Sequence, residues 1–143
     1  MRDAARGASG LPSEARYFFP AAARLTKRAD FQRVYREGVR ASGRHLVVFV
    51  MPVEGHEGRF GVTASRKVGS AVQRARAKRR LRELWRIHRA SLINQRVDLV
   101  VNARASCTTA PWAELERDFL DSVRRGCDGL ARGLRRQQSA RPG

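Results

Sequence analysis

Residues 66 to 89 read Arg-Lys-Val-Gly-Ser-Ala-Val-Gln-Arg-Ala-Arg-Ala-Lys-Arg-Arg-Leu-Arg-Glu-Leu-Trp-Arg-Ile-His-Arg. Ten of these side chains are Lys or Arg and only Glu83 is acidic, yet the apolar residues recur at a helical period. At roughly 100° per residue, Ala77, Leu81, Leu84, Trp85 and His88 gather on one side, with Ala75, Arg76, Arg79, Arg82 and Arg86 on the other. A disordered basic tail would neutralise phosphate equally well without any apolar period. The stretch therefore reads as a folded amphipathic helix from about Ser70 to about Ala90, with one face to bury and one to meet a polyanion.

Strands flank this helix. Arg59 to Ser65 alternates as a strand before it, and Val97 to Ala103 (Val-Asp-Leu-Val-Val-Asn-Ala) is an apolar strand after it that suits a central position. A helix between two strands makes a βαβ unit. Upstream, His45 to Met51 is an almost continuous apolar run of β-branched character. With Pro52 to Gly58 as the loop, it is expected to form an antiparallel hairpin with Arg59 to Ser65. A first helix is expected from Thr26, with Thr26 or Asp30 as N-cap, Phe31, Val34 and Tyr35 at i, i+3, i+4, and Gly38 as the stop. An additional short strand falls around Val39 to Ser42. Pro111 opens a last helix with Trp112, Leu115, Phe119, Leu120 and Val123 on one face. The order α-β-β-α-β-α, with the extra short strand, predicts an α+β domain: a two-layer α/β sandwich with a small central sheet. Residues 1–23 read as a flexible extension, 24–133 as the domain and 134–143 as a basic tail. Tyr17, Phe18 and Phe19 are available to dock on the domain or on a partner.

A chain of 143 residues with 42% hydrophobic content is sized for one folded domain. Its net charge of +17 opposes compaction unless a polyanion offsets it, and nucleic acid is the first candidate, an anionic membrane surface the second. Lysine occurs only at 27, 67 and 78; the other basic residues are Arg, which suits bidentate phosphate contacts, although a coding bias would give the same excess. Cys107 and Cys127 have neither the spacing nor the histidines of a zinc site, nor a disulfide framework, and a reducing cytoplasm fits them. No apolar run has the length of a membrane span or the character of a secretory signal.

The stretch Phe60 to Glu83 closely resembles the signature of the bacterial ribonuclease P protein subunit: a strand, Ser65-Arg66-Lys67, Val68-Gly69-Ser70-Ala71-Val72, then Arg74-Ala75-Arg76 with Lys78-Arg79 and Arg82-Glu83. Arg24-Leu25, Lys27, Asp30-Phe31, Val34-Tyr35 and Gly38 resemble the family's first helix, and Asp98-Leu99-Val100 with Ala103-Arg104 its last strand. The resemblance spans roughly residues 24 to 125. It implies a ribosomal-protein-like fold with a left-handed βαβ crossover, where chain physics alone would favour the right-handed form. It implies a ribonucleoprotein that removes the 5′ leader of precursor tRNA, with the catalytic centre and most bound Mg²⁺ in the RNA. Where the family has Asn between the two arginines, this chain has Ala75, which has no amide for RNA or for metal-bound water. The surrounding cations remain, so RNA binding is expected to persist.

Two surfaces follow. Arg66, Lys67, Arg74, Arg76, Lys78, Arg79, Arg82 and Arg86 are expected to meet the ribozyme RNA, helped by the positive end of the helix dipole. By resemblance, Lys27, Phe31, Tyr35 and Phe49 line a cleft for the single-stranded leader, where aromatic faces accept any base; read without the family, Phe31 and Phe49 are better read as core, and the resemblance brings the two readings level. A protein nuclease needs a clustered base, nucleophile or metal-binding carboxylates, and His45, His56 and His88 are scattered along the chain. Asp98 and Glu83 read as ion-pair partners and His88 as a hydrogen-bonded packing residue. The competing readings are a structural RNA-binding protein of ribosomal type and a DNA-compacting protein; the signature at Ser65 to Glu83 favours neither, and no DNA partner is expected.

Overall fold

The computed structural model describes residues 24–53, 58–92 and 96–140; residues 1–23 with their three aromatics, His56 and the last three residues lie outside the described residues. The elements are α1 (Arg28–Glu37), β1 (Val39–Ser42), β2 (Leu46–Pro52), β3 (Phe60–Thr63), α2 (Ala71–Leu92), β4 (Val97–Ala103) and α3 (Trp112–Ala140). Short 3₁₀ turns at Arg66–Val68 and Ala105–Thr108 lead into α2 and α3.

The four strands lie in the order β1-β2-β4-β3. β4 pairs antiparallel with β2, from Leu46 opposite Ala103 to Pro52 opposite Val97, and parallel with β3, from Phe60 opposite Leu99 to Thr63 opposite Asn102. The expected hairpin between the second and third strands is therefore absent, because β4 stands between them. The physical reason is burial. Val97 to Val101 are buried without interruption, so β4 needs a ladder on each edge and sheet cover on each face. β2 matches it over seven residues, whereas β3 offers only four.

Strand alternation divides the sheet into two faces. On one, Leu46, Val48, Val50, Phe60, Leu99 and Val101 join Ala77, Leu81, Leu84 and Trp85 of α2 and Leu115, Phe119 and Val123 of α3 in the main core. Phe60 stacks flat on Trp85, with centroids 4.9 Å apart and planes 4° from parallel. On the other face, Val34 of α1 packs with Leu25, Met51 and Val100, and Phe31 and Phe49 lean on them. The expected sandwich thus carries a third, partial layer, since α1 has only ten residues.

Helix ends follow local chemistry with two departures. Ser70 and Gln73 form a reciprocal capping box at the start of α2: Gln73 N–H donates to Ser70 Oγ (3.2 Å) and Ser70 N–H to Gln73 Oε1 (2.8 Å). Gly69 just before it has φ of 141°, a backbone region that excludes side chains. For α1, neither Thr26 nor Asp30 serves as N-cap; Lys27 holds that position without a side-chain bond. The Asp30 carboxylate turns instead to Arg59. The second departure is α3, which continues to Ala140, into the stretch read as a tail. Trp112, expected on the inner face, is 37% exposed and lies beneath the Arg80 guanidinium, 5.7 Å from its centroid.

Asp98 is 1% exposed, and Arg59 serves it three times, through its backbone N–H (2.9 Å), Nε (3.2 Å) and Nη2 (2.8 Å). Arg59 Nη1 also reaches Asp30 at 3.4 Å, so one guanidinium ties β3, β4 and α1 together. The hydrogen bond to Asp98 raises the Arg59 pKa above its ordinary value. Arg59→Ala leaves a buried carboxylate with a single donor and is expected to cost about 3 kcal/mol of stability, read as a lower urea midpoint with unchanged slope. Burial pushes the Cys107 thiol up to about 11, so iodoacetamide at pH 8 is expected to label half-buried Cys127 and spare Cys107 until the chain unfolds.

Candidate nucleic-acid interfaces

The outer side of α2 carries the first candidate surface. Arg76, Arg79 and Arg82 are exposed, as are Arg66 and Lys67 on the 3₁₀ turn before the helix, and Arg74, Lys78 and Arg86 are half-buried at its flanks. The structure thus brings all eight sequence-selected cations onto one helix and its entry turn. Not all of them are equally available. Arg74 Nη1 donates to Gly69 O (2.8 Å), closing the capping turn, and Arg76 Nε donates to Thr108 O (2.9 Å). Arg86 leans to Glu83 at 3.4 Å. Arg80, which the sequence reading did not select, spends its guanidinium on Cys107 O and Ala110 O, both at 2.6 Å. Two arginines one helical turn apart therefore bolt α2 to the turn after β4, leaving Arg79 and Arg82 as the central solvent-facing cations. Ala75 is exposed between Arg74 and Arg76.

Arg82 and Arg86 also line a cleft of about 480 Å³, together with Arg24, Thr26 and Phe60 to Val62. Leu25 N–H donates to Phe60 O (2.9 Å), so the chain entering α1 runs beside the β3 edge. This places the start of α1 and the basic helix on one rim.

The second candidate surface lies across the sheet. Tyr35 stands edge-on to Phe49, with centroids 4.9 Å apart and planes at 80°, and Phe31 follows at 6.5 Å from Tyr35. Tyr35 is 36% exposed while Phe31 and Phe49 are half-buried, so the groove reading and the core reading of these two both describe part of each ring. Phe31 approaches β3 so closely that a Cβ on Gly61 would stand 2.6 Å from its Cζ; the glycine makes room for the ring. Exposed Lys27 sits one turn before Phe31. The groove floor holds a residue the sequence reading passed over: Asn102 of β4, whose Oδ1 accepts from Tyr35 Oη (2.8 Å) and Thr63 Oγ1 (2.6 Å). Its place in an apolar strand was the available signal.

The two described histidines each pair with a carboxylate of α3. His45, 4% exposed, contacts Glu114 Oε2 through Nε2 (2.5 Å) and Ser106 Oγ through Nδ1 (2.7 Å). Asp118 accepts from the backbone N–H groups of Arg44 (3.0 Å) and His45 (2.8 Å). These bonds clamp the β1–β2 turn between α3 and the turn that precedes it. Both ring nitrogens are occupied, which leaves no basic atom facing a substrate. His88 pairs with Glu116 at 2.7 Å, the packing role expected of it. Among the described residues, no three His, Cys, Asp or Glu side chains stand together as a metal cage, and no helix is long and apolar enough to cross a membrane.

A basic helix packed on a small mixed sheet, with an aromatic groove on the opposite face, defines a class of compact α+β proteins equipped for a polyanion. The family model described as Ribonuclease P matches residues 19–126. A ribonuclease P protein component of Kocuria rhizophila is 40% identical over 107 residues, covering 73% of this chain and 91% of that protein. That of Desulfovibrio desulfuricans is 36% identical over 113 residues, covering 77% and 87%. In structure, the Staphylococcus aureus RNase P protein superposes with a TM-score of 0.64 at 28% identity over 71% of this chain and 93% of its own. The Thermotoga maritima protein gives 0.62 at 27% identity over 71% and 96%. The chain belongs to the Ribonuclease P protein family.

If Arg79 and Arg82 each meet a phosphate, the double change Arg79→Ala with Arg82→Ala lowers the magnitude of the log K against log salt slope for RNA binding by roughly two, about one per contact. Filter binding across a salt series reads this directly, and an unchanged slope would move the interface off α2.

Proposed function

We propose that this chain is the protein component of a ribonuclease P ribonucleoprotein, binding the catalytic RNA and the 5′ leader of precursor tRNA while the leader is cut away. The carrying observation is the separation of two unlike surfaces by one sheet. The α2 face has fixed cations and little else, which suits the phosphates of a folded RNA. The groove of Tyr35, Phe49 and Phe31 offers aromatic faces with one lysine, which suits an unpaired strand of varied sequence. Family membership favours this reading over a structural RNA-binding protein of ribosomal type.

In this reading the protein binds and positions. The phosphodiester is cleaved by the RNA subunit, with Mg²⁺ held mainly by RNA. The His45 clamp supports that division of labour, because the more buried of the two described histidines is committed to holding three segments together. Docking α2 on the ribozyme neutralises a self-repelling face, and the groove then lies free on the far side of the sheet to take the leader. Ala75 removes one amide from the docking face without altering its charge.

Adding the protein to ribonuclease P RNA and precursor tRNA at low magnesium is expected to raise cleavage; no stimulation refutes the reading. Tyr35→Ala in the reconstituted holoenzyme is expected to weaken binding of leader-bearing substrate by about tenfold, the loss of one stacked base. Mature tRNA without a leader is expected to bind as before, and an equal loss for both would make Tyr35 a packing residue.

A further inference from the structure

We infer that Trp112, at the junction of α2 and α3, forms with Val72 and Ile87 a strip that contacts unpaired bases of the ribozyme RNA; this rests on α2 being the ribozyme-docking helix. The large apolar side chains exposed among the described residues are Tyr35, Val72, Ile87 and Trp112, at 36%, 78%, 41% and 37%. Tyr35 belongs to the groove. The other three lie together. At roughly 100° per residue, Val72, Arg76, Arg80 and Ile87 fall within about 80° of one another around α2. This is the flank that Arg76 and Arg80 tie to Thr108, Cys107 and Ala110 ahead of α3. At about 1.5 Å per residue, Val72 and Ile87 stand roughly 22 Å apart along the helix, with Arg80 between them. Trp112 lies beside Arg80, its ring centroid 5.7 Å from the guanidinium carbon.

The two tryptophans have opposite surroundings. Trp85 is 3% exposed and stacked on Phe60, whereas Trp112 stays open although Leu115, Phe119 and Val123 of its own helix are buried. Arg80 donates to Cys107 O and Ala110 O, both at 2.6 Å, which fixes the guanidinium against which the Trp112 ring rests. A ring held in this way loses little freedom when a base stacks on it. Arg76, one turn before Arg80, is exposed and supplies charge for an adjoining phosphate. Glu83, the acid on this sector, leans to Arg86 at 3.4 Å. A second copy of this chain, at +17, would bring like charge onto like charge. A membrane surface takes a continuous apolar face, and here arginines interrupt it. Unpaired nucleotides offer apolar base faces at intervals with phosphates between them, the same alternation as the strip. Docking through α2 therefore has a part that salt does not screen.

The test uses the full chain and ribonuclease P RNA. Trp112 is one of two tryptophans, and the emission lost in Trp112→Phe identifies its share. Saturating RNA is expected to quench that share and to protect it from acrylamide. Trp112→Ala is expected to weaken RNA binding about tenfold, the loss of one stacked base, with the slope of log K against log salt unchanged. Val72→Ala, at an exposed position that cannot harm the core, is expected to lose roughly threefold, again at constant slope. RNA that binds while Trp112 emission and acrylamide access stay as in the free chain overturns the inference and leaves docking by α2 intact. So does full affinity in Val72→Ala, or a loss that appears as a reduced slope. A Trp112 response to phosphatidylglycerol vesicles and none to RNA overturns it in favour of a membrane surface. Failure of the intact chain to bind the RNA at all overturns it together with the docking reading, which separates the two failures.

Discussion

Two adjacent strands that run parallel cannot be joined by a tight turn; the chain must leave the sheet, cross one face and return. β3 and β4 are such a pair, and α2 is the crossing segment. The basic helix is therefore held against the sheet along its length by the geometry of the connection. Its inner side is consumed by Ala77, Leu81, Leu84 and Trp85, with Trp85 flat on Phe60. The outer side is left to carry charge. Without the parallel pairing the same sequence would be a helix with eight cations and nothing to fix their direction.

A chain this positive has to decide which cations serve the fold and which serve a ligand. The division follows where neutral or negative oxygen is available. Arg80 and Arg76 take carbonyls in the turn before α3, and Arg59 takes Asp98 and Asp30. Arginine suits these tasks because its planar fork satisfies two or three acceptors from one side chain. Arg79 and Arg82, exposed on the same helix, make no such bond among the described residues, and they repel one another until a polyanion arrives. The stability of the free protein and its affinity for RNA are thus drawn from the same residue type in different surroundings.

The elements were largely visible along the chain because each has a clear local signal. Val97–Ala103 appears with the same bounds in the structure, Ser70 begins α2 through its capping box, and Gly38 ends α1 by donating to Val34 O. Strand pairing was not visible, since adjacency along the chain favoured a β2–β3 hairpin, and only the burial demand of β4 shows why that strand intervenes. Site residues divide in the same way. The outer cations of α2 follow from helical period alone, whereas Arg80 belongs by period to the same basic helix and is removed from it by carbonyls that arrive from Cys107 and Ala110. The clamp around His45 joins residues more than sixty positions apart, and no spacing rule announces it.

Composition and period dictated a basic amphipathic helix, a small apolar sheet and three aromatics at helix and strand positions, because charge and burial act on residues a few places apart. The tertiary structure decided that the aromatics face away from the basic helix, that one arginine ties three elements together, and that the Asn102 amide loses its acceptor to Tyr35 and Thr63. Those are contacts between distant segments, and they exist only after β4 has taken the centre of the sheet.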